Sequence, residues 1–161
     1  MVKDSPLSEI TLRRYEKPYN LTQRELVKKI CLGLGLLQPG DGRDVIVDIL
    51  SVLLAARREK KELSLEGIQQ AAIEMRKQNN LEIKGIADSN IRRQVKRLRD
   101  IMLVEKNGNN YYIAEFETLD TLFHDKIEKF LLPQIIERVK EYLLQLEKAA
   151  PNSSSAQGLR E

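Results

Sequence analysis

Apolar and polar positions alternate along this chain in five helical patterns and one hairpin pattern. The clearest helix covers about 88–102, where Ile91, Val95, Leu98 and Met102 recur at steps of four, three and four. Ser89, Arg93, Lys96 and Arg97 project from its far side, with Asn90 at the edge of that face. Two extended runs follow, Leu103 to Lys106 and Asn110 to Glu115, on either side of Asn107-Gly108-Asn109. Asn-Gly supplies the left-handed backbone of a tight hairpin turn.

Upstream, Thr22 and Glu25 form a capping box that opens a helix to about Leu32, with Leu21 and Leu26 as its hydrophobic staple. Leu34, Leu36 and Leu37 are too apolar to be left in water. Pro39-Gly40-Asp41-Gly42 is a turn. The next helix, about Arg43 to Lys60, is apolar over more than half its circumference and so belongs in a core. Ser64 caps a third helix to about Gln78, with Leu65, Ile68, Ala72 and Met75 on one face. The connection Leu81 to Ala87 leads to Asp88 or Ser89 as cap of the basic helix, whose free amides and dipole would attract phosphate.

Downstream, Thr118 starts a long helix reaching about Lys148. Its first half carries Leu119, Phe123, Ile127, Phe130 and Leu131. Its second half carries Leu132, Ile136, Val139, Leu143 and Leu146 at alternating steps of four and three, the seam of helix-on-helix packing. That seam calls for a partner helix: the same helix of a second copy, or the N-terminal helix of its own chain. Pro133 removes one hydrogen bond and meets the Lys129 carbonyl, so one continuous, kinked helix is expected. The fold class is thus mostly α with a small β-hairpin, α+β. Its segments are an arm (1–20), a helix and turn (21–42), a core domain (43–116), a long C-terminal helix (117–149) and a disordered tail (150–161). In the arm, Arg13, Arg14 and Lys17 alternate with Tyr15 and Tyr19. It reads as loosely packed, or as touching phosphate or a partner subunit.

Charge changes the picture. Residues 84–106 hold seven Lys/Arg and three acids, a net +4, while the whole chain is +3, so the rest sums to −1. Positive charge is therefore local, as on a surface that meets phosphate. At this point the residues carry a resemblance. The helix SNIRRQVKRLRDIMLV running into EKNGNNYYIAEF resembles the recognition helix and wing of winged helix-turn-helix proteins, over roughly residues 43–116. Met102 departs from the pattern, standing where the family often has glycine.

The resemblance implies a sequence-specific, duplex DNA-binding transcriptional regulator. Ser89, Asn90 and Arg93 would approach base edges in the major groove. Arg92, Lys96, Arg97 and Arg99 would meet phosphates. Lys106, Asn107, Asn109 and Asn110 on the wing, at 103–115, would reach flanking backbone or minor groove. A homodimer paired through Leu132, Ile136, Val139, Leu143 and Leu146 would present two recognition helices about one DNA turn apart, or a multiple of it. The alternative is a winged-helix interaction scaffold within a transcription, replication or chromosome-maintenance complex. An RNA partner is disfavoured because three Phe and five Tyr are too scattered for a stacking platform.

Other chemistry has little to stand on. One histidine, His124, and one cysteine, Cys31, give no basis for a zinc site or a His-based triad. Gly33-Leu34-Gly35 lacks the third glycine of a dinucleotide loop. An enzyme is not expected, nor a cofactor or metal. Cys31 reads as a small buried hydrophobe and His124 as a helix-surface residue. No apolar run is long enough for a membrane span, and MVKDSPLSEI has no signal-peptide character. The expected location is cytoplasmic, on the nucleoid if DNA is the partner. No effector can be placed.

Overall fold

The structure, a computed structural model, describes residues 3–154. Its first helix, α1 (Gln23–Gly33), begins at the expected capping box. Thr22 Oγ1 accepts from the Glu25 amide at 3.2 Å, and Glu25 Oε1 accepts from the Thr22 amide at 2.8 Å. Such a cap stabilises a helix end by about 1 kcal/mol. The second helix, α2 (Val45–Arg57), is the centre of the molecule, with Val45 through Leu50, Val52 and Leu53 all buried. It is apolar over most of its circumference, and α1, α3, α4 and strand β3 pack around it. It starts at Val45 and ends at Arg57 rather than spanning Arg43 to Lys60. Lys60 takes a left-handed φ of +52°, which turns the chain away from the helix axis.

Ser64 caps α3 (Leu65–Gln78), its Oγ accepting from the Gly67 amide at 3.0 Å. Leu63–Ser64 is also a short strand, β1. The hairpin strands are β2 (Val104–Asn107) and β3 (Asn110–Ile113). All three pair antiparallel in the order β1-β3-β2, with Leu63 opposite Tyr111 and Val104 opposite Ile113. The expected hairpin is thus a three-stranded sheet. A two-residue strand is too short to show a period of its own in sequence. Asn107 pairs with Asn110, so the turn is Gly108-Asn109 rather than a three-residue loop. Of the two, only Gly108 has positive φ, the pattern of a type II′ turn. The fold is α+β.

Between α3 and the hairpin lies α4 (Asp88–Asp100). It ends two residues before the predicted limit. The Met102 amide donates to the Arg99 carbonyl at 2.9 Å, and the Leu103 amide to the Leu98 carbonyl at 3.1 Å. This is a Schellman closure, which needs a left-handed residue in second-last place. Met102 supplies it with φ +67° where glycine is usual. Ile101, 6% exposed, takes the last place on the apolar stripe.

Thr118 caps α5 (Leu119–Leu122) through the Thr121 amide. That helix runs on through a π-helical segment, Phe123–Leu131, into α6 (Leu132–Ser154). Pro133 has no amide hydrogen and would press on the Lys129 carbonyl in a regular α-turn. The wider winding just before it supplies the accommodation that the sequence suggested would be a kink; the Leu132 amide bonds Ile127, five residues back. It also resets the stripe. Leu122, Ile127 and Leu131 are buried at steps of five and four, whereas Phe130, predicted to face inward, is 48% exposed.

Past Ile135 the helix leaves the body. Ile136, Val139, Leu143 and Leu146 are 45–62% exposed. The seam therefore does not fold back on α1. The helix continues to Ser154, so residues 150–154 of the expected disordered tail are helical, and residues 155–161 lie outside the described ones. No described helix is long and apolar enough to cross a membrane.

Candidate nucleic-acid interface

The site is built on α4. Ile91, Val95 and Leu98 are at most 1% exposed, packed with α2 and α3 behind them. Burying three aliphatic side chains holds the helix by several times roughly 1.5 kcal/mol. The orientation of the opposite face follows. Arg99, Arg92, Lys96, Ser89 and Arg93 are exposed and, with Asp100, fill an outward arc of roughly 120°. Lys96 meets Asp100 one turn on at 3.1 Å, both well exposed, a pairing worth little in water.

Two predicted ligands are committed elsewhere. The Asn90 amide nitrogen donates to the Gly85 carbonyl at 2.7 Å. Its Oδ1 accepts from Arg93 at 2.7 Å and from Gln94 at 3.1 Å. Asn90 therefore fixes the entry to α4 instead of presenting its amide to a base. Arg97 is half-buried, with Nη2 donating to the Gly35 carbonyl at 2.9 Å and Nη1 to Gln94 Oε1 at 3.0 Å. It ties α4 to the end of α1 and is not a free phosphate ligand. The helix start also differs. Ala87 is the N-cap, without a side-chain cap, and Asp88 in the first turn accepts from Gln69 at 2.8 Å. That carboxylate offsets the anion attraction expected there.

On the hairpin, Lys106, Asn107 and Asn109 are exposed as predicted. Lys106 Nζ lies 5.8 Å from the centre of the Tyr111 ring. The Asn107 amide nitrogen sits 3.2 and 3.3 Å from the Glu62 carboxylate oxygens, which fasten the hairpin beside β1. Half-buried Asn110 closes the turn opposite Asn107 rather than extending to a flank. A groove between α4 and the hairpin is edged by Lys96, Arg99, Lys106 and Lys126, with Asp100 and Glu105 as its acids. Lys126 belongs to the π segment, 3.5 Å from Glu115, and sequence reading missed it.

A second miss is deeper. Asp48 and Arg76 are 0% and 3% exposed. Arg76 Nη1 is 2.7 Å from Asp48 Oδ2 and 3.0 Å from Asp44 Oδ1, and Nε donates to the Glu82 carbonyl at 2.7 Å. Arg24 of α1 binds the other Asp48 oxygen. The network clamps α1, α2, α3 and the connection that sets where α4 begins. Two signals marked it: an acid alone within an apolar helix, and an arginine one turn beyond Ala72 on an apolar face, where Met75 was expected.

The arm is tied to the end of α1 at Arg13. The Arg13 amide donates to the Gly33 carbonyl at 2.8 Å. The Arg13 guanidinium donates to the Leu32 carbonyl at 2.9 Å and the Leu37 carbonyl at 3.3 Å, satisfying the negative end of α1. Arg14, Lys17 and Tyr19 remain exposed, while Tyr15 is half-buried beside the Lys29 ammonium at 4.6 Å. Cys31 is fully buried, and burial pushes its thiol up to about 12. It therefore stays protonated at neutral pH and is a packing group. His124 is exposed, 3.1 Å from Glu128. Among the described residues no group of three or more His, Cys, Asp and Glu side chains could hold a metal ion. No protein-family model matches the chain, and neither the curated proteins nor the solved structures compared with it offer a match.

Proposed function

We propose that this protein binds duplex DNA sequence-specifically, as a dimeric transcriptional regulator of the winged helix-turn-helix type. The observation that carries the reading is α4 itself. One face is wholly buried, and the other sets Arg92, Arg93, Lys96 and Arg99 together in solvent. The order α2, β1, α3, α4, β2, β3, with the sheet as β1-β3-β2, supports a helix presented beside a wing. Arg93 and Ser89 are the base-reading candidates; Arg92, Lys96 and Arg99 serve phosphates; Lys106 and Asn109 reach out from the wing. The α6 seam supplies the dimer, and DNA as partner places the protein on the nucleoid. Selection of bound duplexes from a randomised pool tests this. A consensus with two-fold symmetry is expected, degraded at one position in each half by Arg93→Ala. Recovery of random sequence from the wild type would remove the claim of specificity.

One observation favours the second reading, an interaction scaffold in a transcription, replication or chromosome-maintenance complex. Tyr142 and Leu144 are 71% and 56% exposed beside the seam, so α6 shows apolar surface beyond the seam itself. A monomeric mass by light scattering, together with no DNA binding, would favour it.

A further inference from the structure

A second basic groove flanks α4 on the side away from the hairpin. It has a volume of about 410 Å³ and is lined by the loop after α1, the connection before α4 and α4 itself, with Ile46 of α2 between them. Each stretch contributes a cation, Arg43, Lys84 and Arg93 respectively. The Arg43 and Lys84 side chains are 82% and 46% exposed, and Arg93 is exposed on the outward arc described above. Arg97 adds a fourth positive charge in the wall, its donors already directed to Gly35 and Gln94. The groove's one acid is Asp41. The Arg43 amide donates to Asp41 Oδ1 at 2.9 Å, with the Arg43 guanidinium at 3.3 Å. These hydrogen bonds, with Lys84 nearby, hold the Asp41 carboxyl below its usual range. Lys84 also faces Glu82 at 3.3 Å, outside the groove and itself 74% exposed.

Local sequence explains why this surface escaped notice. The cations lie at 43, 84 and 93, far apart in the chain, and only the packing of α2 against α4 gathers them. Gly85, in the lining, has φ +75°, a left-handed backbone that favours glycine.

We infer that this groove is a phosphate track, in which Arg43 and Lys84 hold the DNA backbone along one edge of the major groove that α4 enters. The inference rests on the DNA-binding reading of α4 and deepens it. Arg93 sits at the junction, with its guanidinium reachable from either the bases or the track. A phosphodiester strand suits the site because exposed cations from three separate stretches of chain line one groove, as a backbone bearing successive phosphates requires. The Asp41 carboxylate lowers its affinity and keeps Arg43 oriented.

The test is salt-titrated fluorescence anisotropy on a selected duplex and a scrambled one. Arg43→Ala/Lys84→Ala is expected to lower the slope of log affinity against log salt by about two, equally on both duplexes, at roughly 0.9 for each phosphate that is no longer neutralised. Asp41→Asn, which keeps the oxygen that accepts from the Arg43 amide, is expected to tighten binding on both. Circular dichroism on each variant checks that these substitutions leave the fold intact. An unchanged slope in the double variant, with a reduced one in Lys96→Ala, would overturn the track and leave the α4 reading standing. No binding by the wild type would overturn both.

Discussion

Arg97 and Gly35 stand 62 residues apart in sequence, and the guanidinium of one donates to the carbonyl of the other at 2.9 Å. The arm packs on that same glycine, which has φ +71°. A Cβ added at Gly35 would fall 2.3 Å from Thr11 Cβ. The candidate recognition helix, the end of α1 and the N-terminal arm are therefore fastened through one residue. Arg97→Ala should destabilise the protein by about 1.5–3 kcal/mol, the range for a hydrogen bond from a charged donor, reduced in part by its half-exposure. Its salt slope for DNA should equal that of the wild type. Urea unfolding beside a binding titration checks both parts; a slope lowered by about one would return Arg97 to the phosphate ligands.

The buried clamp predicts a strong non-additivity. Asp48→Leu leaves the guanidinium of Arg76 buried without its nearest carboxylate and should cost about 3–5 kcal/mol. Arg76→Met leaves the Asp48 carboxylate with Arg24 alone and should cost a similar amount. The double variant Asp48→Leu/Arg76→Met should cost much less than the sum, because neither charge is then stranded. Denaturant unfolding of all three variants provides the cycle; additive losses would contradict the coupling.

Cys31 gives a pH signature. Burial raises its thiol to about 12 from an ordinary value of 9.0. A thiol raised in the folded state contributes its full stability below the unfolded value and loses it as pH climbs toward the folded one. Stability should therefore fall between about pH 9 and 12, and the fall should be smaller in Cys31→Ala once that variant's own packing loss is subtracted. Native protein should also resist a thiol reagent at mildly alkaline pH and react fully in denaturant.

The legible part of this molecule is local. The capping box at Thr22, the Ser64 cap, the buried α2 and the outward basic face of α4 all depend on residues within one or two turns, where periodicity and capping chemistry act. The parts that sequence reading misses depend on pairing between distant stretches. Arg97 and Asn90 have the side chains of DNA ligands and lie near the basic face, yet each is occupied by a carbonyl, of Gly35 and of Gly85, that nothing in the helix's own sequence announces. The Asp48–Arg76 pair, the third strand and the placing of Arg43 and Lys84 on one groove share this origin. Phe130 faces outward for a different reason: a regular helical period does not hold across a segment that is π-wound ahead of Pro133.

The exposed seam on α6 should hold two copies together. Val139 and Leu143, 51% and 57% exposed, lie at its middle. Val139→Glu/Leu143→Glu should halve the mass seen by light scattering and leave the body folded, since neither side chain belongs to the core. A wild-type monomer would assign α6 to another partner.

The DNA-binding reading is met most directly by comparing the wild type with Arg92→Ala/Arg93→Ala/Lys96→Ala in salt-titrated binding to mixed-sequence duplex. All three residues are exposed, so the fold should survive. The wild type should bind at about micromolar concentration or better in low salt, and the triple variant should lose up to about three units of salt slope. A triple variant that binds as the wild type does, or a wild type that binds no duplex in low salt, would contradict the assignment of α4 as the DNA-reading helix.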